Sequence, residues 1–183
     1  MQWGLVPSWF KSGNPVEIAN KTLNARSETL HEKASFKGVF QRQHCVIPST
    51  GFFEYQTNGK EKKPFFVFPA TDDLFHMAGI YDTYTDLDTG GQIHGFSIVT
   101  CMANQLMSEI HNTKKRMPVL LPFEEIDHWL NAGDKVSQLM IPAAESLMDA
   151  HPVNPKILKS PMHNSAEAHA FFDTPNYTQG SLF

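Results

Sequence analysis

Three short clusters hold side chains able to move protons and grip anions. Asn24-Ala25-Arg26-Ser27-Glu28-Thr29 offers an amide and a guanidinium, and Gly51-Phe52-Phe53-Glu54-Tyr55 sets a carboxylate among aromatics. The third is Ile110-His111, followed by Arg116-Met117-Pro118-Val119. Carboxylates and imidazoles serve as general acids and bases, and the planar arginine fork matches phosphate oxygens. Gathered by a fold, these residues make an acid–base site facing an anionic substrate.

Each cluster also has an ordinary reading. An outward-facing glutamate on an alternating strand accounts for Glu54. In that strand Phe52 and Glu54 share one face and Phe53 and Tyr55 the other, and a carboxylate beside a phenylalanine suits proton transfer. His111 closes a helical pattern with apolar positions Leu106, Met107 and Ile110, where an imidazole serves equally as a partner of the helix dipole. Asn24 reads as a helix N-cap and Arg26 as a surface charge. Trp9 and Phe10, after Pro7-Ser8, fit either a core edge or an aromatic platform for single-stranded nucleic acid.

The elements that must position these residues are mostly strands. His44–Pro48 is a short apolar run, and Gly51–Gln56 reads as a strand. A hairpin at Thr57-Asn58-Gly59-Lys60, whose Asn-Gly pair favours a type I′ turn, leads to a partner strand at Pro64–Phe68. Phe75–Tyr81 and Gly95–Thr100 form a further hairpin through a polar loop, Asp86 to Gly91. Helical patterning falls at Glu28–Lys33, Ala103–Ile110 and Phe123–Leu130, and more weakly at Val136–Leu139 and Ala143–Met148. Pro122 followed by Glu124 and Glu125 is a helix start. From Val153 onward the chain reads as extended or looped. The expected fold class is α+β: an antiparallel-rich, bent sheet with short flanking helices.

Composition bounds the rest. The chain has 183 residues, 41% hydrophobic and 19% charged, which suits one globular domain with a real core. No apolar run approaches the roughly 20 residues of a membrane span, and no signal peptide is apparent, so a cytoplasmic protein with no membrane partner is expected. A protein that holds nucleic acid by bulk electrostatics is normally basic, and the net charge here is −4, so composition neither demands nor excludes DNA. Any such contact must be local, at Lys60, Lys62 and Lys63 or at Lys114-Lys115-Arg116. Two distant cysteines, Cys45 and Cys101, each in an apolar stretch, give neither a disulfide framework nor a zinc site. No metal and no organic cofactor are implied.

Together with the opening Trp3-Gly4-Leu5-Val6-Pro7-Ser8-Trp9, the three clusters in this order make the chain resemble the SRAP (SOS response-associated peptidase) family. Its members bind single-stranded DNA and cross-link covalently to abasic sites. The resemblance covers essentially residues 1–183, read as a single domain, and implies a bifurcated, partly barrel-like sheet. It implies catalytic roles for Asn24, Glu54 and His111, with Glu54 handling protons during Schiff-base formation and release and His111 opening the sugar. It implies DNA contacts for Trp9, Phe10, Arg26 and Thr100, with Arg116, Lys114 or Lys115 on a phosphate. The His151-Pro152-Val153-Asn154 stretch resembles a closing motif and reads as structural. The implied partners are single-stranded DNA with abasic sites and replication-fork proteins, the setting cytoplasmic and nucleoid-associated in a bacterium. Two departures stand out. The family's nucleophilic cysteine follows the initiator methionine, where this chain has Gln2, so the domain is expected to be N-terminally incomplete. Asn112-Thr113-Lys114-Lys115 also separates His111 from Arg116-Met117-Pro118. A peptidase and a non-catalytic single-stranded DNA-binding module are the competing functions.

Overall fold

The structure is a computed structural model that describes residues 1–131, 136–156 and 166–172. Its elements run β1 (Gln2–Trp3), α1 (Pro15–Lys21), β2 (Asn24–Arg26), α2 (Ala34–Phe40), β3 (His44–Ser49), β4 (Phe52–Asn58), β5 (Glu61–Pro69), β6 (Phe75–Thr85), β7 (Gln92–Met102), α3 (Gln105–Ile110), β8 (Arg116–Pro118), α4 (Ile126–Leu130) and β9 (Met148–Pro152). Short 3-10 turns lie at Phe123–Glu125, Val136–Leu139, Glu145–Leu147 and Ala166–His169. This is the expected α+β class, with few and short helices. The chain divides into two compact units. Among the described residues, the first comprises Met1–Pro48, His76–Cys101 and those within Pro118–Pro142, and the second Ser49–Phe75, Met102–Met117 and those from Ala143 on.

The first unit is organised on β7. Along one edge β6 runs antiparallel, from Gly79↔Ile98 to Thr85↔Gln92, and β3 lies beyond β6. Since Gly95, Phe96 and Ile98 already pair with β6, the parallel strands β1 and β2 occupy the opposite edge, one after the other. Side chains alternate as a pleated strand demands: Ser97, Val99 and Cys101 are buried, whereas Phe96, Ile98 and Thr100 are half-buried. The buried face gathers Ile80, Val99, Val119 and Leu5, with Trp129 fully buried in the same unit. The Trp129 indole donates to the Cys45 carbonyl at 3.0 Å and its ring stacks on His44 at 4.4 Å. His44 in turn sets its two ring nitrogens against the carbonyls of Trp129 and Phe40. A buried polar tie holds α1 to the sheet: the Thr22 hydroxyl donates to the Leu5 carbonyl at 2.6 Å, and Ser97 Oγ donates to the Thr22 carbonyl.

The second unit is a three-stranded antiparallel sheet in the order β4-β5-β9. Register puts Phe52 opposite Val67 and Glu54 opposite Phe65, so these four share a face, while Phe53 and Phe66 share the other with His151. Phe65 and Val67 are fully buried on the Glu54 face. Gly51, at φ 156, turns the chain into β4 where a Cβ would strike the Phe66 ring and the Val67 carbonyl. Helix α3 is capped by Asn104, whose side chain accepts from the Met107 amide at 2.9 Å, and it buries Leu106, Met107 and Ile110.

Several local expectations are corrected. Glu28–Lys33 is a run of turns rather than a helix, and Asn24 lies in β2, which removes its N-cap reading. Helices α1 and α2 appear where none was expected. The helical pattern at Ala143–Met148 yields one 3-10 turn and then β9. In the β4–β5 hairpin Asn58 pairs with Glu61, so the loop is Gly59-Lys60. Only Gly59 has positive φ there, the pattern of a type II′ turn rather than type I′.

Candidate functional site

Within the second unit, Glu54 and His111 meet. Glu54 Oε2 lies 3.2 Å from His111 Nδ1, and the same nitrogen lies 3.1 Å from the Arg116 carbonyl oxygen. Both neighbours can only accept when the carboxylate is ionised, so Nδ1 carries a proton and Nε2 is the ring position left to exchange one. The other carboxylate oxygen accepts the Tyr55 amide at 2.8 Å. The two side chains keep 23% and 18% of their surface, enough shelter to strengthen the pair and enough opening to reach a substrate. Burial first, and then the negative charge of Glu54, holds the Tyr55 phenol above its ordinary 10.0.

Strand and helix each deliver one member of the pair. β4 fixes Glu54 opposite Phe65, and α3 ends at His111, whose amide donates to the Met107 carbonyl at 2.8 Å. Two amide side chains hold α3 to β4. Gln56 Nε2 donates to the Glu109 carbonyl at 3.0 Å. Asn112 Oδ1 accepts from the Thr57 amide at 3.0 Å while its Nδ2 donates to the Thr57 carbonyl at 2.8 Å. The Asn112 side chain thus pairs with β4 as a strand would. Lys115 then takes φ 49, and its carbonyl accepts the Ala103 amide at 3.0 Å, turning the chain toward Arg116. The four-residue spacer therefore ties the end of α3 to β4. Sequence reading missed Gln56 and Asn112. The signal for Gln56 was its place two residues beyond Glu54 on the same strand face.

In the first unit, Arg26 pairs in register with Thr100 and Asn24 with Ile98, while Ala25 between them is buried. Asn24 and Arg26 are exposed. The Trp9-Phe10 pair splits. The Phe10 amide donates to the Pro7 carbonyl at 2.9 Å, closing a turn with Ser8 and Trp9 at its corners. The Ser8 amide donates to Asp82 Oδ2 at 2.7 Å, and Asp82 is 4% exposed. Trp9 projects with 57% of its surface open, while Phe10 packs edge-on against Tyr84 at 6.1 Å.

Arg116, in the second unit, is half-buried, with Nη1 3.7 Å from the Met102 sulfur. His151 Nε2 donates to the His169 carbonyl at 2.6 Å, beside Phe66 and Phe68. Neither Cys45 nor Cys101 is in a disulfide; burial pushes the Cys45 thiol from 9.0 up to about 11. Among the described residues no three His, Cys, Asp or Glu side chains gather as a metal site. No described helix is long and apolar enough to cross a membrane.

The fold and these clusters define an α+β protein with a carboxylate–imidazole pair and a separate arginine-bearing strand. The model of the SOS response associated peptidase (SRAP) family matches residues 1–160, and the chain belongs to that family. It is 34% identical over 172 residues to the abasic site processing protein YoqW of Bacillus subtilis, covering 91% of this chain and 73% of that one. It is 31% identical over 172 residues to the abasic site processing protein HMCES of Xenopus tropicalis, covering 84% of this chain and 49% of that one. The chain thus spans about half the length of the vertebrate relatives it matches. A crystal structure of a Bacteroides thetaiotaomicron protein superposes with a TM-score of 0.88 at 38% identity, over 93% of this chain and 75% of that one.

Proposed function

We propose that this protein acts on abasic sites in single-stranded DNA. The observation that carries the reading is the Glu54–His111 pair, two residues far apart in sequence placed 3.2 Å apart with the imidazole tautomer fixed. An abasic sugar becomes reactive when its ring opens to an aldehyde. In this reading His111, through Nε2, exchanges the proton that opens the ring. An amine then adds to the aldehyde carbon, and Glu54 moves the protons by which the carbinolamine loses water to give an imine. Asn24 orients the nucleophile, and Arg26, Thr100 and Arg116 hold phosphate oxygens. Trp9 and Phe10 contact the bases.

A stable cross-link requires a cysteine that carries both a thiol and a free α-amine, because the thiol closes on the imine carbon to form a thiazolidine. Neither Cys45 nor Cys101 meets this requirement. Each has its nitrogen in a peptide bond, and the Cys45 thiol is held protonated by burial. The test is a denaturing gel of an abasic-site oligonucleotide with this chain and with a version preceded by a Met-Cys-Gly-Arg-type segment. The expected result is a denaturation-resistant adduct with the second version, lost on Glu54→Gln combined with His111→Ala. DNA binding by both versions with no adduct from either would make the protein a binding module. Peptide-bond cleavage dependent on Glu54 and His111, with no DNA binding, would make it a peptidase.

A further inference from the structure

We infer that Trp3 is a base-stacking residue and that β1 and β2 together form one continuous binding ladder along the edge of β7 opposite β6. This rests on the single-stranded DNA reading and adds a contact that the sequence motifs did not assign. Trp3 pairs with Phe96, Asn24 with Ile98 and Arg26 with Thr100. Every second residue of a strand points the same way, so all three side chains stand on the face that holds Phe96, Ile98 and Thr100. That is the less buried face of β7, since Ser97 and Val99 on the other are fully buried. Each step of the ladder is two strand residues, and the whole run from Trp3 to Arg26 spans about 13 Å, four residues at about 3.3 Å each.

The indole is held for this purpose. Trp3 Nε1 donates to the Leu23 carbonyl at 2.8 Å, an oxygen that also accepts the Ile98 amide at 3.0 Å. One carbonyl therefore anchors both the start of β2 and the edge of the Trp3 ring. With its polar edge satisfied inward, the ring keeps 51% of its surface open. A half-exposed, hydrogen-bonded tryptophan in line with an exposed amide and an exposed guanidinium matches the way single strands are held, by stacking on π faces beside local positive charge. Arg26 supplies the phosphate contact at one end, and Trp3 receives a base at the other.

The experiment measures affinity for a single-stranded oligonucleotide carrying one abasic analogue, with Trp3→Ala, Trp3→Phe, Trp9→Ala and Arg26→Ala. Trp3→Ala is expected to weaken binding about 5- to 150-fold, the range for loss of one stacked base. Trp3→Phe keeps a π face and should recover most of it, with thermal unfolding showing that every variant is folded. A second set of oligonucleotides removes one normal base at a time on either side of the abasic position. Removal at one particular position should weaken the wild-type protein and leave Trp3→Ala unaffected. Should Trp9→Ala and Arg26→Ala weaken binding while folded Trp3→Ala does not, the ladder is wrong and the DNA reading stands. Should no variant change binding, the DNA reading itself fails.

Discussion

His111 shows how much a single tautomer decides. Its Nδ1 faces two oxygens, Glu54 Oε2 and the Arg116 carbonyl, so the proton sits on that nitrogen and, under the proposed function, Nε2 is the position that exchanges one. Glu54→Gln keeps the shape but removes the charge that holds the ring, and His111→Ala removes the proton carrier. In the version preceded by the Met-Cys-Gly-Arg-type segment, each is expected to slow adduct formation about 100- to 10,000-fold, the usual worth of a positioned acid or base. Residues that act as a unit do not add, so the double variant should be scarcely slower than the worse single one, as rates under single-turnover conditions would show. Cys45 is the opposite case, a reactive type of side chain silenced by its surroundings. Burial raises its thiol from 9.0 to about 11. The native state then holds a proton that the unfolded chain has already released. This contribution to stability is fully present below about pH 9 and is lost as pH rises through about 11. Urea midpoints measured across that window should fall more steeply for the wild type than for Cys45→Ala.

At the scale of elements, the turn at Pro7–Phe10 depends on a carboxylate from β6. Asp82 is buried and accepts the Ser8 amide, holding Trp9 at the corner. Asp82→Ala leaves that amide without its acceptor, at an expected stability loss of about 1–3 kcal/mol, and frees Trp9. DNA affinity should fall toward that of Trp9→Ala, while Asp82→Asn, whose side-chain oxygen still accepts, should restore most of it. Calorimetric titration of the three variants checks this. Sequence could not reveal Asp82 because its partner lies far away in the chain, and a lone aspartate in a strand pattern carries no local mark. Glu54 and its face were legible because strand alternation is strictly local: Phe52 and Glu54 point one way whatever the partner strand. The long strands β4 to β7 were legible for the same reason. Helices α1 and α2, seven residues each, were not. At that length the propensity signal is weak and tertiary burial of Ala19, or of Phe36 and Val39, decides the outcome. β9 was hidden likewise, since Met148–Pro152 becomes a strand by pairing with β5 rather than by its own pattern.

For the whole molecule, a net charge of −4 governs how it can hold a polyanion. A basic protein coats the phosphate backbone and loses affinity steeply with salt. Here the overall field repels DNA, and under the proposed function attraction comes from a few cations such as Arg26, exposed on β2, and Arg116. With about two to four phosphates neutralised, log K should fall against log salt with a slope of about −1.4 to −2.8, since each phosphate on a single strand contributes about −0.7. Arg26→Ala should flatten that slope by about one phosphate, whereas Trp9→Ala should lower affinity at every salt concentration and leave the slope alone. Fluorescence anisotropy over a salt series separates the two effects. A much steeper slope, unchanged in Arg26→Ala, would place the DNA on the lysines instead. Stacking and a few well-placed phosphate contacts bind selectively where a strand is already single and exposed. Such a protein need not compete, through general attraction, for the far larger excess of duplex.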